Sequence, residues 1–293
     1  MTLQPTFSVT IPAYNAADTL AETVDSVKAQ TFADWEIVIC DDGSTDNTLE
    51  LARALATSDE RIRVVSQENR GTGGAYNTAV RHASADLLVI LSADDLLLPD
   101  HLAAYAEAEA SHPEASIFSS GGFFEYEDGA RLETRANALW SDPTGCTLED
   151  LLRECFYGIG ATYRREVWEA QGGFQEGIYA EDYPFWLFGL AHGFKHRYVD
   201  RPLSVHRRNS TQKSADAVRM READLTAVQR LIASGLLDGQ GLAAARRAAT
   251  HFKRVILVRR ALNASIGPDN TARLIDRLRG RRPVGARRTP AEG

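Results

Sequence analysis

Apolar runs of strand length alternate with stretches of helical period along the first part of the chain. Residues 7–11, 35–40, 61–65 and 87–91 are short apolar runs, whereas residues 20–30, 45–55, 75–83 and 99–112 carry apolar side chains at helical spacing. This alternation predicts an α/β fold in which a mostly parallel, Rossmann-like sheet is flanked by helices. Pro99 suits the first turn of its helix, where a missing N–H costs nothing. Ser44 or Thr45 is expected to cap the helix that follows the second strand.

After His112-Pro113 the pattern changes. Residues 116–124 read as a strand ending in glycines and aromatics, and residues 125–145 as polar and irregular. Leu148, Leu151, Leu152 and Cys155 keep helical spacing, as do residues 165–170, and Gly172-Gly173-Phe174 stops that second helix. A helix over 184–192 and a strand over 197–199 follow. From about Ala215 the chain is rich in Ala, Leu and Arg, with breaks near residues 235–241 and at Gly267-Pro268, and reads as a C-terminal helical appendage. Residues 280–293 are expected to be disordered.

Composition is ordinary: 293 residues, 44% hydrophobic, enough for a well-buried core. Charge is not evenly spread. From Gly241 onward Lys253 and twelve arginines face only Asp269, Asp276 and Glu292, which gives +10 and leaves −17 for the rest of a chain whose net charge is −7. Either this is a solvated helical face with a frayed terminus, or it makes peripheral contact with an anionic membrane surface or a phosphate-bearing acceptor. Cys40, Cys146 and Cys155 form no CxxC pair, which argues against a disulfide framework or a structural zinc site and fits a reducing cytoplasm. The start lacks a signal-peptide pattern, and no run of about eighteen apolar residues occurs. A cytoplasmic protein, possible membrane association aside, is expected, with no nucleic-acid partner.

Two acidic clusters follow apolar runs. Asp41-Asp42-Gly43-Ser44-Thr45-Asp46 comes after residues 35–40, and Ala93-Asp94-Asp95 after residues 87–91. Open α/β sheets bind ligands at the carboxyl ends of their strands, and carboxylates there suit a nucleotide held through a divalent metal. Asp-Gly-Ser is also ordinary turn chemistry, and acids before a helix complement its dipole. Pro12-Ala13-Tyr14-Asn15 closes the first strand at the same predicted edge, where Tyr14 can lie flat on a base and Asp41 can accept from a pyrimidine N3–H. Uracil or thymine suits that pair better than guanine. Asp94 and Asp95 suit Mn2+ or Mg2+, which take one or two carboxylates plus diphosphate and water.

The stretch Arg70-Gly71-Thr72-Gly73-Gly74 is not a dinucleotide fingerprint, because GxGxxG would need glycine where the chain has Tyr76. It leaves a basic loop at a helix start, with Arg70 and Gly73 able to approach a base, ribose or diphosphate. Ala180-Glu181-Asp182-Tyr183-Pro184-Phe185-Trp186 admits two readings. Glu181 and Asp182 are either partners of a helix dipole or hold a general base that takes the proton of an attacking hydroxyl. Phe185 and Trp186 supply either an apolar wall or core.

Together these residues resemble the family 2 glycosyltransferases of the GT-A fold, which transfer sugars from nucleotide diphosphates with inversion. The resemblance runs through residues 7–15, 41–46, Asn69-Arg70-Gly71 with Ala75-Tyr76-Asn77, 91–95, and Glu181-Asp182 with Trp186. It implies that Tyr14 and Asp41 hold the base, that Asp94 ligates the metal bridging the diphosphate, and that Asp182 is the catalytic base. It also implies a donor-binding half over residues 1–115, an acceptor-binding half over 116–214, and a helical extension over 215–279. The acceptor would be a hydroxyl-bearing glycan or lipid-linked acceptor in polysaccharide, cell-envelope glycan or glycoconjugate synthesis, its groove formed over roughly residues 119–160.

This chain departs from the family pattern at two places. Many members carry aspartate where Ser92 stands, and Tyr-Arg-x-His where this chain has His206-Arg207-Arg208-Asn209. The late metal- or diphosphate-binding histidine is then either His206 or replaced by Asn209, and His206 is equally open to being a packing residue. Arg207 and Arg208 either steady the diphosphate or are exposed. Two alternatives stand beside the transferase. A sugar-1-phosphate nucleotidyltransferase would carry a Gly-rich loop with Arg where Pro12-Ala13-Tyr14-Asn15 stands. A catalytically silent nucleotide-sugar-binding protein would bind without turnover.

Overall fold

A computed structural model describes residues 4–134, 140, 142–153, 160–208, 216–267 and 271. Strands β1 (Phe7–Ala13), β2 (Trp35–Asp41), β3 (Ile62–Ser66) and β4 (Leu87–Ile90) form a parallel block in the order β3-β2-β1-β4. Chain order reverses between β1 and β4, which puts a ligand crevice at their carboxyl ends. Both faces of the block are covered. Phe7, Val9, Ile11, Ile37, Ile39 and Val89 enter one core, while Val38 and Cys40 meet Ala75 and Ala79 of α3 (Gly71–His82) on the other. The polar residues of β1 keep partners inside, as burial requires: Ser8 Oγ donates to Glu36 Oε1 (2.6 Å) and Thr10 Oγ1 to the Val89 carbonyl (2.9 Å).

Beyond β4 the sheet becomes mixed. β8 (Thr162–Arg164) runs antiparallel between β4 and β6 (Ile117–Tyr126), and β9 (His196–Arg208) is parallel to β6. At the far edge β5 (Leu96–Leu97) pairs antiparallel with β9, and β7 (Arg131–Thr134) forms a hairpin with β6. The short β5, β7 and β8 carry too few residues to show a period. The strand expected at 197–199 lies near the start of the thirteen-residue β9.

Several expected boundaries move. Helix α2 (Thr48–Ser58) begins after Asn47, so neither Ser44 nor Thr45 caps it. Those two bond across to the β1 loop instead: Ser44 Oγ accepts from Asn15 N (3.0 Å) and Thr45 N donates to Asn15 Oδ1 (2.8 Å). Pro99 lies outside α4 (His101–Ser111), where its carbonyl accepts from Thr31 N (2.9 Å). Helix α3 starts four residues earlier than its apolar period, because Asp42 Oδ1 accepts from Arg70 N (2.9 Å) and fixes the chain where the helix begins.

Helix α6 (Arg165–Gln171) stops at Gly172, whose φ of 71° is left-handed as a glycine stop requires. The C-terminal helices α8 (Ala217–Ala233) and α9 (Gly239–Ile266) are not detached from the body. Val228, Leu231, Ala245 and Phe252 share a core with Tyr183 and Trp186 of α7 (Asp182–Ala191) and with Leu151 of α5 (Leu148–Arg153). Each large apolar side chain buried there contributes about 1.5–3 kcal/mol. Helix α9 ends at Gly267. Cys155, Asn209, Pro268 and the tail 280–293 lie outside the described residues. Among the described residues, no helix is long and apolar enough to cross a membrane.

Candidate functional site

The carboxyl ends of β1 and β2 meet in register, Ala13 opposite Asp41, and Asp41 opposite Ser66 of β3. Asp41 is buried, and its carboxylate accepts from Ser44 N (3.3 Å) and Ser66 Oγ (3.1 Å). Asp42 has a different task. Its Oδ1 takes Gln67 Nε2 (2.6 Å) and Arg70 N, which holds the loop before α3 against the sheet. Asp46 accepts from Thr48 N (3.0 Å) and from Ala17 N (3.3 Å), so it shapes the turn. Pro12 and Ala13 lie in β1, and Asn15 adopts a φ of 49° that its side-chain bond to Thr45 stabilises. Tyr14, beside this buried lattice, is 52% exposed and so presents its ring to solvent.

Past β4, Asp94 is half-buried and Asp95 fully buried. Asp95 Oδ1 lies 2.9 Å from His206 Nδ1 and accepts from Arg207 N (3.2 Å), so β5 and β9 bring together acids and a histidine that stand 111 residues apart. His206 also packs edge-on against Phe124 at 5.6 Å. Arg207 pairs with Glu22 (2.5 Å), and the Arg208 guanidinium lies 4.4 Å over the Phe124 ring, so both have protein partners. Among the described residues, no three His, Cys, Asp or Glu side chains form a ready-made metal cage.

The third acidic cluster reaches the crevice through a strap, residues 173–181, that ties back to α3. Asn77 Oδ1 accepts from Phe174 N (2.7 Å) and Trp168 Nε1 (2.9 Å), while its Nδ2 donates to the Phe174 carbonyl (2.9 Å) and Glu176 Oε1 (3.2 Å). Arg70 pairs with Glu176 at 2.8 Å. Gly73 is where the strap crosses: a Cβ there would stand 2.5 Å from the Gln175 carbonyl oxygen. Glu181 precedes α7, and Asp182 is its first residue, its Oδ1 accepting from Tyr183 N (2.7 Å). Pro184 therefore lies inside the first turn and does not open the helix. Phe185 and Trp186 are core residues, with Phe185 stacked on Phe174 at 4.0 Å.

Tyr76 joins these clusters, although the sequence assigned it no role. Its phenol is buried, and the Ser92 side chain offsets part of the effect of that burial. Burial pushes its pKa well above the ordinary value, and the nearby carboxylates of Glu181, Asp95 and Asp182 push it further. Of the strand-end acids, Asp95 thus shares the electrostatic surroundings of Tyr76 with Glu181 and Asp182 at the start of α7. Asp224 of α8 is a second residue that the motifs did not point to. Burial raises its carboxyl to about 6 against the pull of Arg221, and Asp182 adds to the rise. Only the packing of α8 against α7 brings it here, which no local spacing announces.

A parallel block with acids at its strand ends, continued by a mixed sheet and flanked by helices, defines a GT-A glycosyltransferase fold. The chain belongs to Glycosyl transferase family 2, whose profile matches residues 8–170. The glycosyltransferase EpsJ of Bacillus subtilis, itself uncharacterized, is 30% identical over 70% of this chain and 62% of its own length. Chondroitin synthase of Escherichia coli is 44% identical over 33% of this chain and 14% of its own. The E. coli β-1,3-glucosyltransferase WfgD, named for a UDP-Glc donor and a diphosphoundecaprenol-linked acceptor, is 40% identical over 32% of this chain and 37% of its own. The chain thus spans less than two thirds of each of these relatives. Among solved structures, S. aureus TarS bound to UDP-GlcNAc superposes with a TM-score of 0.66 at 18% identity, covering 88% of this chain and 72% of that one. The mannosyltransferase PcManGT from Pyrobaculum calidifontis, solved with GDP-Man and Mn2+, gives 0.64 at 22% identity over 95% and 81%. At these identities the likeness is one of fold.

Proposed function

We propose that this protein is an inverting glycosyltransferase that moves a sugar from a uridine or thymidine diphosphate donor to a hydroxyl of a glycan or lipid-linked acceptor. The observation that carries this reading is the strap that brings the third acidic cluster to the start of α3, where a Cβ on Gly73 would stand 3.4 Å from Glu181 Cβ and Arg70 pairs with Glu176 at 2.8 Å. A nucleotide site alone has no need of the third cluster. The names of WfgD and TarS's bound UDP-GlcNAc favour a uridine donor, while PcManGT's GDP-Man is the counterexample.

In this reading the base stacks on the exposed Tyr14, with its N3–H on Asp41. Asp94 and His206 would hold Mn2+ or Mg2+. The donor set fits: few protein ligands suffice when diphosphate and water complete the shell, and the Asp95–His206 bond is how a carboxylate fixes the tautomer of a metal-binding imidazole. Asp95 then acts through His206. When bound, the cation neutralises charge gathering on the departing diphosphate. Asp182 takes the acceptor's proton as the new bond forms, and Glu181 beside it keeps the local potential negative. Positioning supplies most of the remaining rate.

Asp182→Asn tests this. Transfer, followed as nucleoside diphosphate release with acceptor present, should fall by about a thousandfold or more, within the range that acid–base catalysis supplies. Nucleotide binding should stay near wild type. Unchanged transfer would remove Asp182 from the mechanism, and binding of nucleotide sugars without any turnover by the wild type would favour a silent binding protein.

A further inference from the structure

A cleft of about 300 Å³ opens between the strap and α8, lined on one side by Tyr179 and Ala180 and on the other by Arg219, Ala223, Thr226 and Arg230. Its volume lies at the lower end of small-ligand pockets. Ala180 and Pro184 both line it, and they flank Asp182 in the chain. Resting on the transferase reading, we infer that this cleft is an acceptor subsite selective for an anionic glycan, with a sugar ring against Tyr179 and carboxylate or phosphate groups on Arg219 and Arg230.

The shape of α8 supports this. Arg219 and Arg230 are eleven residues apart, three helical turns, so they share a face at a spacing of about 16 Å along the axis. Between them Ala223, Thr226 and Ala227 present small side chains that leave room for a ligand over the helix. Both guanidiniums are already oriented. That of Arg219 lies 4.7 Å over the Tyr179 ring, and Arg230 Nη1 donates to Gln175 Oε1 (2.5 Å). Among the described residues, neither has a carboxylate partner, whereas Glu222, the acid that lines the cleft, is engaged by Arg260. Fixed, uncompensated guanidiniums suit planar carboxylate and phosphate groups.

Electrostatics gives a reason for them. Glu181 and Asp182 stand in the chain between two residues that line the cleft, Ala180 and Pro184, and a negatively charged acceptor would be repelled from them without local cations. A neutral acceptor would need no such pair. Helix α8 also lies beyond residues 8–170, so the family core and the acceptor preference reside in different segments.

The test measures binding to the full chain without donor, using three probes: a tetrasaccharide of alternating uronate and N-acetylhexosamine, an oligo(glycerol phosphate), and neutral cellotetraose. At least one anionic probe should bind with an affinity that falls as salt rises, and cellotetraose should bind at least tenfold more weakly. Which anionic probe binds identifies uronate or phosphate as the recognised group. The double substitution Arg219→Gln, Arg230→Gln should weaken the anionic probe at least tenfold and flatten its salt dependence, while UDP binding stays at the wild-type level and certifies the fold. Failure of both anionic probes to bind, equal binding of the neutral one, salt-independent binding, or an unaffected double variant would overturn the inference. Loss of UDP and UDP-sugar binding by the wild type would instead overturn the transferase reading.

Discussion

The two sides of the crevice are held by different means. On the side assigned to the nucleotide, loops only about thirty residues apart in sequence lace into one another: Asn15 with Ser44 and Thr45, Ala16 with Thr48 (2.7 Å), Asp42 with Gln67 and Arg70. On the side of the candidate base, the strap hangs from α3 by bonds between residues about a hundred positions apart. The first side is built by the turns that make the sheet. The second exists only after the two halves have packed, so single contacts carry more of its geometry.

Asn77→Ala should therefore cost more stability than any single change on the nucleotide side. It strands the partly buried Trp168 indole N–H and both backbone groups of the buried Phe174, and a buried group left unsatisfied costs about 1–3 kcal/mol. A loss of about 3–5 kcal/mol, read from the urea midpoint, is the expected outcome. A loss below about 1 kcal/mol would mean that the strap is held elsewhere. A substitution on the other side, Asp46→Ala, removes bonds at the surface and should cost about 1 kcal/mol.

The next effect is a pH dependence on the base side. Asp224 has its folded pKa raised from 3.8 to about 6, so the native state binds its proton more tightly than the unfolded chain does. That stabilisation is complete below pH 3.8 and is lost as pH rises through about 6. Asp224→Asn removes the titration. Its stability relative to wild type should rise between pH 4 and pH 7 by up to about 3 kcal/mol, the equivalent of a shift of about two units. Arg221 and Asp182 face the group in both proteins, so the difference between their pH curves isolates Asp224. A difference that does not change with pH would place the proton elsewhere.

Gly73→Ala probes the crossing point itself. A Cβ 2.5 Å from the Gln175 carbonyl forces the strap outward, with an expected cost of about 1–3 kcal/mol. Because the strap leads directly into Asp182, transfer should fall more than UDP affinity. Equal losses in both would mean that Gly73 serves the nucleotide instead.

The division between the two sides also governs what the sequence discloses. Asp41, Asp94 and Asp182 stand next to elements with a visible period, so their placement at strand ends and at a helix start was readable from spacing. The parallel block was readable for the same reason. Ser44 and Thr45 misled, because the bonds that engage them run to another loop and not to their own helix. Asp224 and Arg219 were not readable at all, and Tyr76 only as part of the motif Ala75-Tyr76-Asn77, with no role attached. Each gains its surroundings from a packing partner far along the chain, and long-range packing leaves no local pattern. The C-terminal appendage was readable as helical, while its Ala- and Arg-rich sequence hides the stripe by which α8 and α9 join the core.

Asp41→Asn is the smallest and most specific way to separate the two sides. The carboxylate is buried, with Oδ1 accepting from Ser44 N and Oδ2 from Ser66 Oγ; the amide oxygen keeps the first bond, and the Ser66 hydroxyl can turn to accept from the NH2. The fold should therefore hold. A charged acceptor makes a stronger bond to an N–H than a neutral one, by about 1 kcal/mol, so UDP affinity should drop by roughly fivefold to tenfold. The amide also brings a donor that the carboxylate lacks. Cytosine has an unprotonated N3 where uracil has N3–H, so the variant can turn its NH2 toward CDP, and the preference for UDP over CDP should narrow. That narrowing, measured by titration at constant salt, depends on direct contact with the base. An unchanged UDP-to-CDP ratio would leave Asp41 as a brace for the Ser44 and Ser66 loops and would move base recognition to Tyr14 and the chain around it.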